Sequence, residues 1–257
     1  MIDLLLLFLA GVLGGALNSI AGGGSFITFP ALLFAGVPPV SANATNTFAS
    51  CSGYLSGAYA FRTELRAHRS ALWRFVLFGF AGGALGAVFL LQTSDELFRY
   101  AIPWLLLFAM VLFVTGSRLN TLLAALAQRH RHASRLGSLG LALLLLSVCT
   151  YGGFFNAGLG IVILSYLALT GFTDMHAMNG IKLLVSSAVS LVAIVLFSVD
   201  GAIAWQAGSA VLLGTLLGGY LAAFGSRRLP QSWVRGFVIV AGSATTVYFF
   251  IETYAPA

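Results

Sequence analysis

The amino-acid sequence predicts an all-α membrane protein: a polytopic helical bundle of about eight full spans plus two half-helices, arranged as two inverted-topology repeats with broken helices at the midplane. Three observations lead to this prediction. The composition is 59% hydrophobic and 8% charged, whereas soluble domains carry roughly 25% charged residues. Apolar stretches of spanning length alternate with short basic loops. Two shorter apolar stretches each follow a Gly-rich segment, at corresponding places in the two halves of the chain.

The charge content excludes soluble enzymes, nucleic-acid binders and disordered chains. The 257 residues include 13 Lys and Arg, 7 Asp and Glu and 4 His, too few to cover a soluble protein of this size. The net charge of +6 lies mostly in short loops, where basic residues orient a membrane protein rather than bind nucleic acid. We therefore expect membrane lipids around the chain and no nucleic-acid partner.

The spans follow from the length of each apolar stretch. A helix needs about 20 apolar residues to cross roughly 30 Å of hydrocarbon. Charged residues and helix breakers leave eight stretches that are long enough: 2–21, 44–61, 70–91, 100–117, 137–157, 177–198, 202–224 and 232–252. The stretches 25–36 and 160–171 have about twelve residues, which at 1.5 Å each reach only about 18 Å. They are predicted to be half-helices.

The two halves of the chain correspond around these half-helices. The alignment pairs Asn18 with Asn156 and Gly22 with Gly160 and, after three residues are dropped, Gly36 with Gly171 and Thr47 with Lys182. A repeat of roughly 137 residues is too long for a solenoid and indicates two homologous halves. Residues 1–117 are assigned to the first transmembrane repeat, 118–136 to a basic cytoplasmic linker and 137–257 to the second repeat, within one integrated membrane domain.

Loop charges predict the orientation of the spans. Basic residues in 62–69, 118–135 and 225–231 place these loops in the cytoplasm, and acidic residues in 93–99 accompany an external loop. Successive loops fall on alternate sides of the membrane, with every basic loop in the cytoplasm, only if each half-helix and its linker together cross the membrane once. Each half then has five crossings, and an odd number turns the second half upside down relative to the first.

The predicted site lies where the helices break. We call the Gly-rich segment 22–24 the first break and the segment 156–160 the second break. Backbone that leaves a helix inside a bilayer must be buried in protein or line a polar cavity. Helices are expected to begin after each break and again near 43–47 and 179–182, so four helix N-termini would converge on an anion site. The candidate substrate-binding residues are Asn18, Gly22, Gly23, Gly24, Ser25, Asn43, Thr45, Asn46, Thr47, Asn156, Gly158, Gly160, Asn179 and Lys182.

Glycines outside the breaks are predicted to serve helix packing, in which small residues let backbones approach closely. They are Gly82, Gly83, Gly86, Gly214, Gly218 and Gly219.

Lys182 is the only lysine and lies in an apolar stretch. A lysine at the centre of a spanning helix costs roughly 2.5–3.5 kcal/mol on insertion scales. Two interpretations are open: a side chain that snorkels to the interface, or a cation that faces a cavity and attracts or gates an anion.

The sequence predicts neither catalytic residues nor metal ligands nor a cofactor. The seven carboxylates lie at span ends or in linkers, and no acid, base and nucleophile occur together inside the spans. A phosphate-binding Gly-x-x-x-x-Gly-Lys-Ser/Thr loop is also absent from the sequence. We therefore predict a membrane protein that is not an enzyme and whose partner is a small anion.

The residues around both breaks resemble the signatures of the TauE/SafE family of sulfite and organosulfonate exporters. The first-half signature is Asn-x-x-Ala-Gly-Gly-Gly-Ser at 18–25, followed by Pro30, Gly36-Val-Pro-Pro and Asn43-Ala-Thr-Asn46. The second-half signature is Gly152-Gly-Phe-Phe-Asn-Ala-Gly-Leu-Gly160, followed by Asn179-Gly-Ile-Lys182. The resemblance implies a multi-pass transporter of the bacterial inner membrane that exports sulfite, sulfoacetate or a related sulfonate.

Inverted halves and broken helices are also the layout of secondary transporters that work by alternating access. An inside-negative potential favours anion efflux by about 2.3 kcal/mol per charge per 100 mV. The preferred function is therefore an exporter that holds its anion at helix N-termini in the two breaks. The alternatives are an anion channel, or a transporter of another small organic anion with ion coupling.

Overall fold

A computed structural model describes residues 2–20, 23–129, 135–225 and 231–255 of the chain. Within these ranges it contains eleven helices and no strands, in agreement with the predicted all-α class. The helices are α1 (Ile2–Ile20), α2 (Ser25–Phe34), α3 (Pro39–Ala60), α4 (Arg62–Ala67), α5 (Arg69–Leu91), α6 (Asp95–Arg129), α7 (Arg135–Phe154), α8 (Leu159–Leu169), α9 (Met175–Asp200), α10 (Trp205–Gly225) and α11 (Gln231–Tyr254).

Helix lengths separate long helices from half-helices as predicted. Eight of the described helices have 19 residues or more, and the half-helices α2 and α8 have 10 and 11. Four segments of the described chain are both long and apolar enough to cross a membrane: Arg69–Leu91, Asp95–Gly116, Met175–Asp200 and Trp233–Tyr254. By this criterion, four of the eight predicted spans are supported.

The largest differences between the predicted and observed boundaries are at α3 and α6. Helix α3 begins at Pro39 rather than at 44, because proline suits the first turn of a helix, where its missing N–H has no intrahelical role. Helix α6 continues to Arg129, so it runs into the segment assigned to the linker.

Each half-helix folds back along the helix that precedes it. A methyl group added at Gly14 of α1 would lie 2.6 Å from Thr28 Cγ2 and 3.1 Å from Gly24 O, so α2 returns beside α1. The start of α1 and the end of α2 consequently line one crevice, through Asp3 and Phe34. In the second half, Tyr151 Oη donates a hydrogen bond to Ala157 O (2.7 Å) where the chain turns from α7 into α8.

The two halves interlock through helices that pack reciprocally. Helix α1 of the first half lies along α10, and α7 of the second half lies along α5. Helices α3 and α9 pack against each other in the centre. They run antiparallel, because Thr45 lies beside Ala204 whereas Phe61 lies beside Gly180. Neither half can therefore bury its apolar surface without the other.

Glycines make the reciprocal packing possible, as predicted. A methyl group at Gly218 of α10 would overlap Val12 O of α1, and one at Gly86 of α5 would overlap Thr150 O of α7. The predicted packing role is confirmed in the same way for Gly82, Gly83 and Gly214. Gly219 differs, because its nearest atom, Gly15 O, would be 3.9 Å from the added methyl group, an ordinary contact.

The outer surface of the bundle is apolar. Large side chains such as Leu5, Trp73 and Val240 are 60%, 59% and 70% exposed. Soluble proteins seldom expose contiguous apolar surface on this scale. A bilayer provides the environment that such a surface requires.

The described loops divide between two ends of the bundle. At one end, Val40 N donates a hydrogen bond to Asp95 Oδ1 (2.8 Å), and Asp3 and Trp205 line a crevice of about 570 Å³. At the other end, the ring of Phe61 lies 6.3 Å from that of His176. The predicted cytoplasmic loop 62–69 and the predicted external loop 93–99 therefore lie at opposite ends. Residues 226–230, in the third predicted basic loop, lie outside the described part of the chain.

Labelling of single cysteines tests the absolute orientation. Cys51 and Cys149 are buried and free, so they are replaced by alanine before Arg66→Cys or Glu96→Cys is introduced. An impermeant maleimide added to whole cells is expected to label position 96, and to label position 66 only after permeabilisation. The opposite pattern would reverse the predicted topology.

Candidate functional site

Positive backbone φ angles mark both breaks. Gly23 in the first break has φ +89° and Gly158 in the second has φ +81°, a region that L-residues other than glycine rarely adopt. Gly36 and Gly171, which follow the two half-helices, also have positive φ. The spacing from Gly23 to Gly36 equals the spacing from Gly158 to Gly171. The structure thus pairs Gly23 with Gly158, and the predicted pairing of Gly22 with Gly160 is out of register. Gly22 itself lies outside the described residues.

The first break is held by an amide from α3. Asn46 is 1% exposed; its Oδ1 accepts a hydrogen bond from Thr28 Oγ1 (2.6 Å) and its Nδ2 donates one to Ser25 Oγ (3.3 Å). Asn18 of α1 also lies at the break, with its Cβ 3.0 Å from the position of a methyl group at Gly24. The predicted residues Asn18, Gly24, Ser25 and Asn46 are therefore brought together.

The second break is held by α3 and α9 together. Asn156 is 2% exposed; its Oδ1 accepts a hydrogen bond from Tyr54 Oη (2.6 Å) and its Nδ2 donates one to Ser190 Oγ (3.1 Å). Asn43 Nδ2 donates a further bond to Phe154 O, at the end of α7 (2.8 Å). Helix α3 consequently contacts both breaks, with Asn46 at the first and Asn43 at the second.

Thr45 and Thr47 do not face the breaks with free hydroxyl groups. Thr45 Oγ1 accepts a hydrogen bond from Ala204 N, just before α10 (2.9 Å), and Thr47 Oγ1 donates one to Asn43 O in its own helix (3.0 Å). These buried hydroxyl groups connect helices or satisfy backbone carbonyls, as buried polar groups generally must.

The predicted convergence of four helix N-termini is wrong. Helices α3 and α9 begin at Pro39 and Met175, four or more residues before the polar residues that were expected to mark their starts. Asp95 accepts a hydrogen bond from the first turn of α3, and Asp174 accepts one from His176 N in α9. Carboxylates at these N-termini satisfy the orphan N–H groups that an anion would need. Helices α2 and α8 are the two whose N-termini lie at the breaks.

Lys182 lies over the second break. Its Nζ donates a hydrogen bond to Asn179 Oδ1 (2.9 Å), and Asn179 Nδ2 donates one to Met175 O. A methyl group added at Gly160 would meet three atoms of the Lys182 side chain, the nearest being Cδ at 3.2 Å. The lysine therefore reaches back toward the start of α9, as helical side chains do, and its aliphatic part covers the first turn of α8.

The glycines of the two breaks differ in what covers them. Gly24 faces the backbone of Gly14, where even a methyl group would overlap the carbonyl oxygen. Gly23 and Gly158 face packed side chains; the nearest atoms to an added methyl group, at 3.0 Å, belong to Val238 and Ala109 respectively. Gly160 is covered by the flexible side chain of Lys182. The second break is therefore covered in part by a flexible side chain, whereas Gly24 in the first break is covered by backbone.

Sequence reasoning missed Tyr54, Ser190 and Thr28 in this network. Helical periodicity contains a signal for two of them. Asn179, Lys182, Ser186 and Ser190 recur at intervals of three or four and so share one face of α9.

The same spacing on α3 relates Tyr54 to Asn43, Thr47 and Ser50.

The apolar bundle with two broken helices and a buried polar network between them defines a helical membrane transporter rather than a soluble protein. The family model "Sulfite exporter TauE/SafE" matches residues 7–249. The chain belongs to the TauE/SafE sulfite exporter family, as its two break signatures predicted.

Three bacterial relatives match over most of their length. A probable membrane transporter protein of Haemophilus influenzae is 30% identical over 242 residues, which cover 93% of this chain and 91% of the relative. The probable membrane transporter protein YfcA of Escherichia coli is 28% identical over 253 residues, 96% of this chain and 90% of YfcA. The probable membrane transporter protein ORF9 of a Sinorhizobium species is 30% identical over 223 residues, covering 86% and 81%. No solved structure matches the chain.

Proposed function

We propose that this transporter exports a small sulfur-containing anion, such as sulfite, sulfoacetate or a related sulfonate, across the inner membrane of a bacterium. The anion binds at the second break, between the first turn of α8 and the ammonium group of Lys182. The observation that carries this proposal is the position of the Lys182 side chain directly over Gly160.

The chemistry of this position suits an oxyanion. At the start of α8, the N–H groups of Leu159, Ile161 and Val162 donate to Asn156 O or Gly158 O. The N–H of Gly160 is therefore the one from which an anion would accept a hydrogen bond, and the helix dipole adds partial positive charge there. Gly160 lies in that first turn of α8, and Lys182 supplies a full charge whose hydrogen bond goes to a neutral amide. Charge-assisted hydrogen bonds to an anion are about twice as strong as neutral ones.

Alternating access between two inverted repeats is the proposed mechanism. It is supported by the reciprocal packing of α1 with α10 and α5 with α7, and by positive-φ glycines at equivalent places in each half. In transporters of this layout, one repeat rocks against the other around a fixed midplane site. Close packing at Gly24 and Gly158 supports a carrier rather than a channel, because a channel requires a path that stays open.

The substrate class and the direction of transport rest on the family and on the membrane potential. The family description specifies sulfite export, and an inside-negative potential favours the outward movement of an anion. No coupling ion is required for such efflux.

Ligand-dependent thermal stabilisation of the purified protein tests the proposal. Sulfite, sulfoacetate and methanesulfonate are compared with sulfate, acetate and chloride at equal ionic strength. We expect the first three to raise the melting temperature in a saturable way, since a ligand at ten times its Kd stabilises by roughly 1.4 kcal/mol. Equal stabilisation by acetate would contradict the sulfur specificity. Flux in proteoliposomes that fails to saturate with sulfite would favour the channel alternative.

A further inference from the structure

Three consecutive residues that lead into the second break are each held by the opposite half of the protein. One contact is a hydrogen bond to a backbone carbonyl, one is an edge-on ring contact and one is a hydrogen bond to a buried amide. They join Asn43 Nδ2 to Phe154 O (2.8 Å), the ring of Phe29 to that of Phe155 (5.5 Å between centroids) and Tyr54 Oη to Asn156 Oδ1 (2.6 Å).

The first break has no matching polar tie across the halves in the described residues. Its side-chain hydrogen bonds come from Asn46, in the same half. Its contact from the second half is apolar, made by Val238. Of the two breaks, the second is therefore the one that hydrogen bonds in the described residues tie to the opposite half.

The hydrogen bond from Tyr54 to Asn156 can be removed by deleting one oxygen atom, the Tyr54 hydroxyl. Asn156 is bound on both sides of its amide, by the Tyr54 hydroxyl from the first half and by Ser190 from the second. Because Asn156 is almost completely buried, loss of the hydroxyl leaves its oxygen without a partner and without water. A buried acceptor in that state drives local rearrangement.

We propose that Tyr54 is a positioning residue: its hydroxyl fixes Asn156 and so sets the position of the first turn of α8, which begins three residues further along the chain. This inference rests on the proposed function, because it concerns the same anion site. Without the hydroxyl, the second break occupies its binding conformation for a smaller fraction of the time. The apparent affinity for the anion then falls in proportion to the fraction of molecules in the binding conformation, while the turnover rate of the loaded carrier changes little.

Tyr54→Phe is tested in two ways. The first measurement is hydrogen exchange of peptides covering residues 154–160, which needs no anion. Exchange is expected to accelerate about tenfold, because this segment opens locally more often. In proteoliposomes, the KM for sulfite efflux is expected to rise about tenfold with kcat within about twofold, the signature of a smaller binding-competent population. In Asn156→Ala, which removes the acceptor, the further change Tyr54→Phe is expected to have no added effect on KM.

Tyr254→Phe serves as the control. It removes a hydroxyl that donates to Tyr100 O, away from both breaks. This variant is expected to leave the KM for sulfite nearly unchanged.

The outcomes separate this inference from the proposed function. Unchanged exchange in Tyr54→Phe, or an equal rise in KM in Tyr254→Phe, overturns the positioning role. Accelerated exchange confined to Tyr54→Phe supports it even if wild-type protein carries no sulfite, a result that would overturn the proposed substrate alone.

Discussion

Lys182→Met is expected to weaken sulfite binding by about 10- to 150-fold, because a hydrogen bond to a charged group contributes roughly 1.5–3 kcal/mol. Methionine keeps the bulk that covers Gly160 but has no positive charge. The melting temperature without ligand is expected to stay the same or rise, since a half-buried charge in an apolar helix no longer needs solvation. Thermal shifts and sulfite efflux in proteoliposomes provide the measurements.

Arg74→Gln is the matched control for Lys182→Met. Arg74 is exposed and lies over the ring of Trp73, 5.5 Å from its centroid, on the outside of the bundle. Its replacement removes one positive charge at a distance from both breaks and is expected to leave sulfite binding unchanged. Wild-type affinity in Lys182→Met would return this lysine to the snorkelling interpretation.

Gly218→Ala is expected to lower the melting temperature by about 10 °C or to prevent folding, the largest stability effect that we predict for a single methyl group. The added methyl would overlap Val12 O, a backbone atom in the tightly packed contact of α1 with α10. Overpacking typically costs 1–3 kcal/mol, and each kcal/mol shifts the melting temperature of a protein of this size by roughly 2–4 °C. Size-exclusion profiles and thermal melts in detergent measure the effect.

The adjacent glycine provides the control for this variant. Gly219→Ala places its methyl group 3.9 Å from the nearest atom, Gly15 O. Alanine is a better helix former than glycine by up to about 1 kcal/mol, so we expect a neutral or slightly higher melting temperature. Similar destabilisation by both variants would show that helix propensity, rather than the contact of α1 with α10, governs stability here.

Several features could be predicted because they depend on local sequence. The apolar stretches and the Gly-rich segments identified the long helices and placed the half-helices α2 and α8 after the breaks. The family followed from the residues around those same breaks. Boundaries were less accurate where a distant residue intervenes, as at α3, whose first turn donates a hydrogen bond to Asp95, the first residue of α6.

In the candidate site, too, some features follow from the local sequence and others depend on contacts between distant residues. The sequence singled out Asn46 and Asn43 as one polar cluster, and they do lie one turn apart on α3, but their side chains bind different breaks. Lys182 was recognised as unusual from its apolar surroundings. Its position over Gly160 depends on how α9 packs against α8, which no local pattern specifies.

The sequence by itself determined that this chain is a helical membrane protein with two broken helices, because hydrophobic length and glycine content act within a few residues of the backbone they shape. Only the tertiary structure decided which residues hold each break and where two helices approach closely enough to require glycine. Those answers depend on contacts between residues far apart in the chain, such as Tyr54 with Asn156 and Val12 with Gly218. Such contacts are set by the packing of whole helices, because the fit between two helix surfaces depends on both sequences at once.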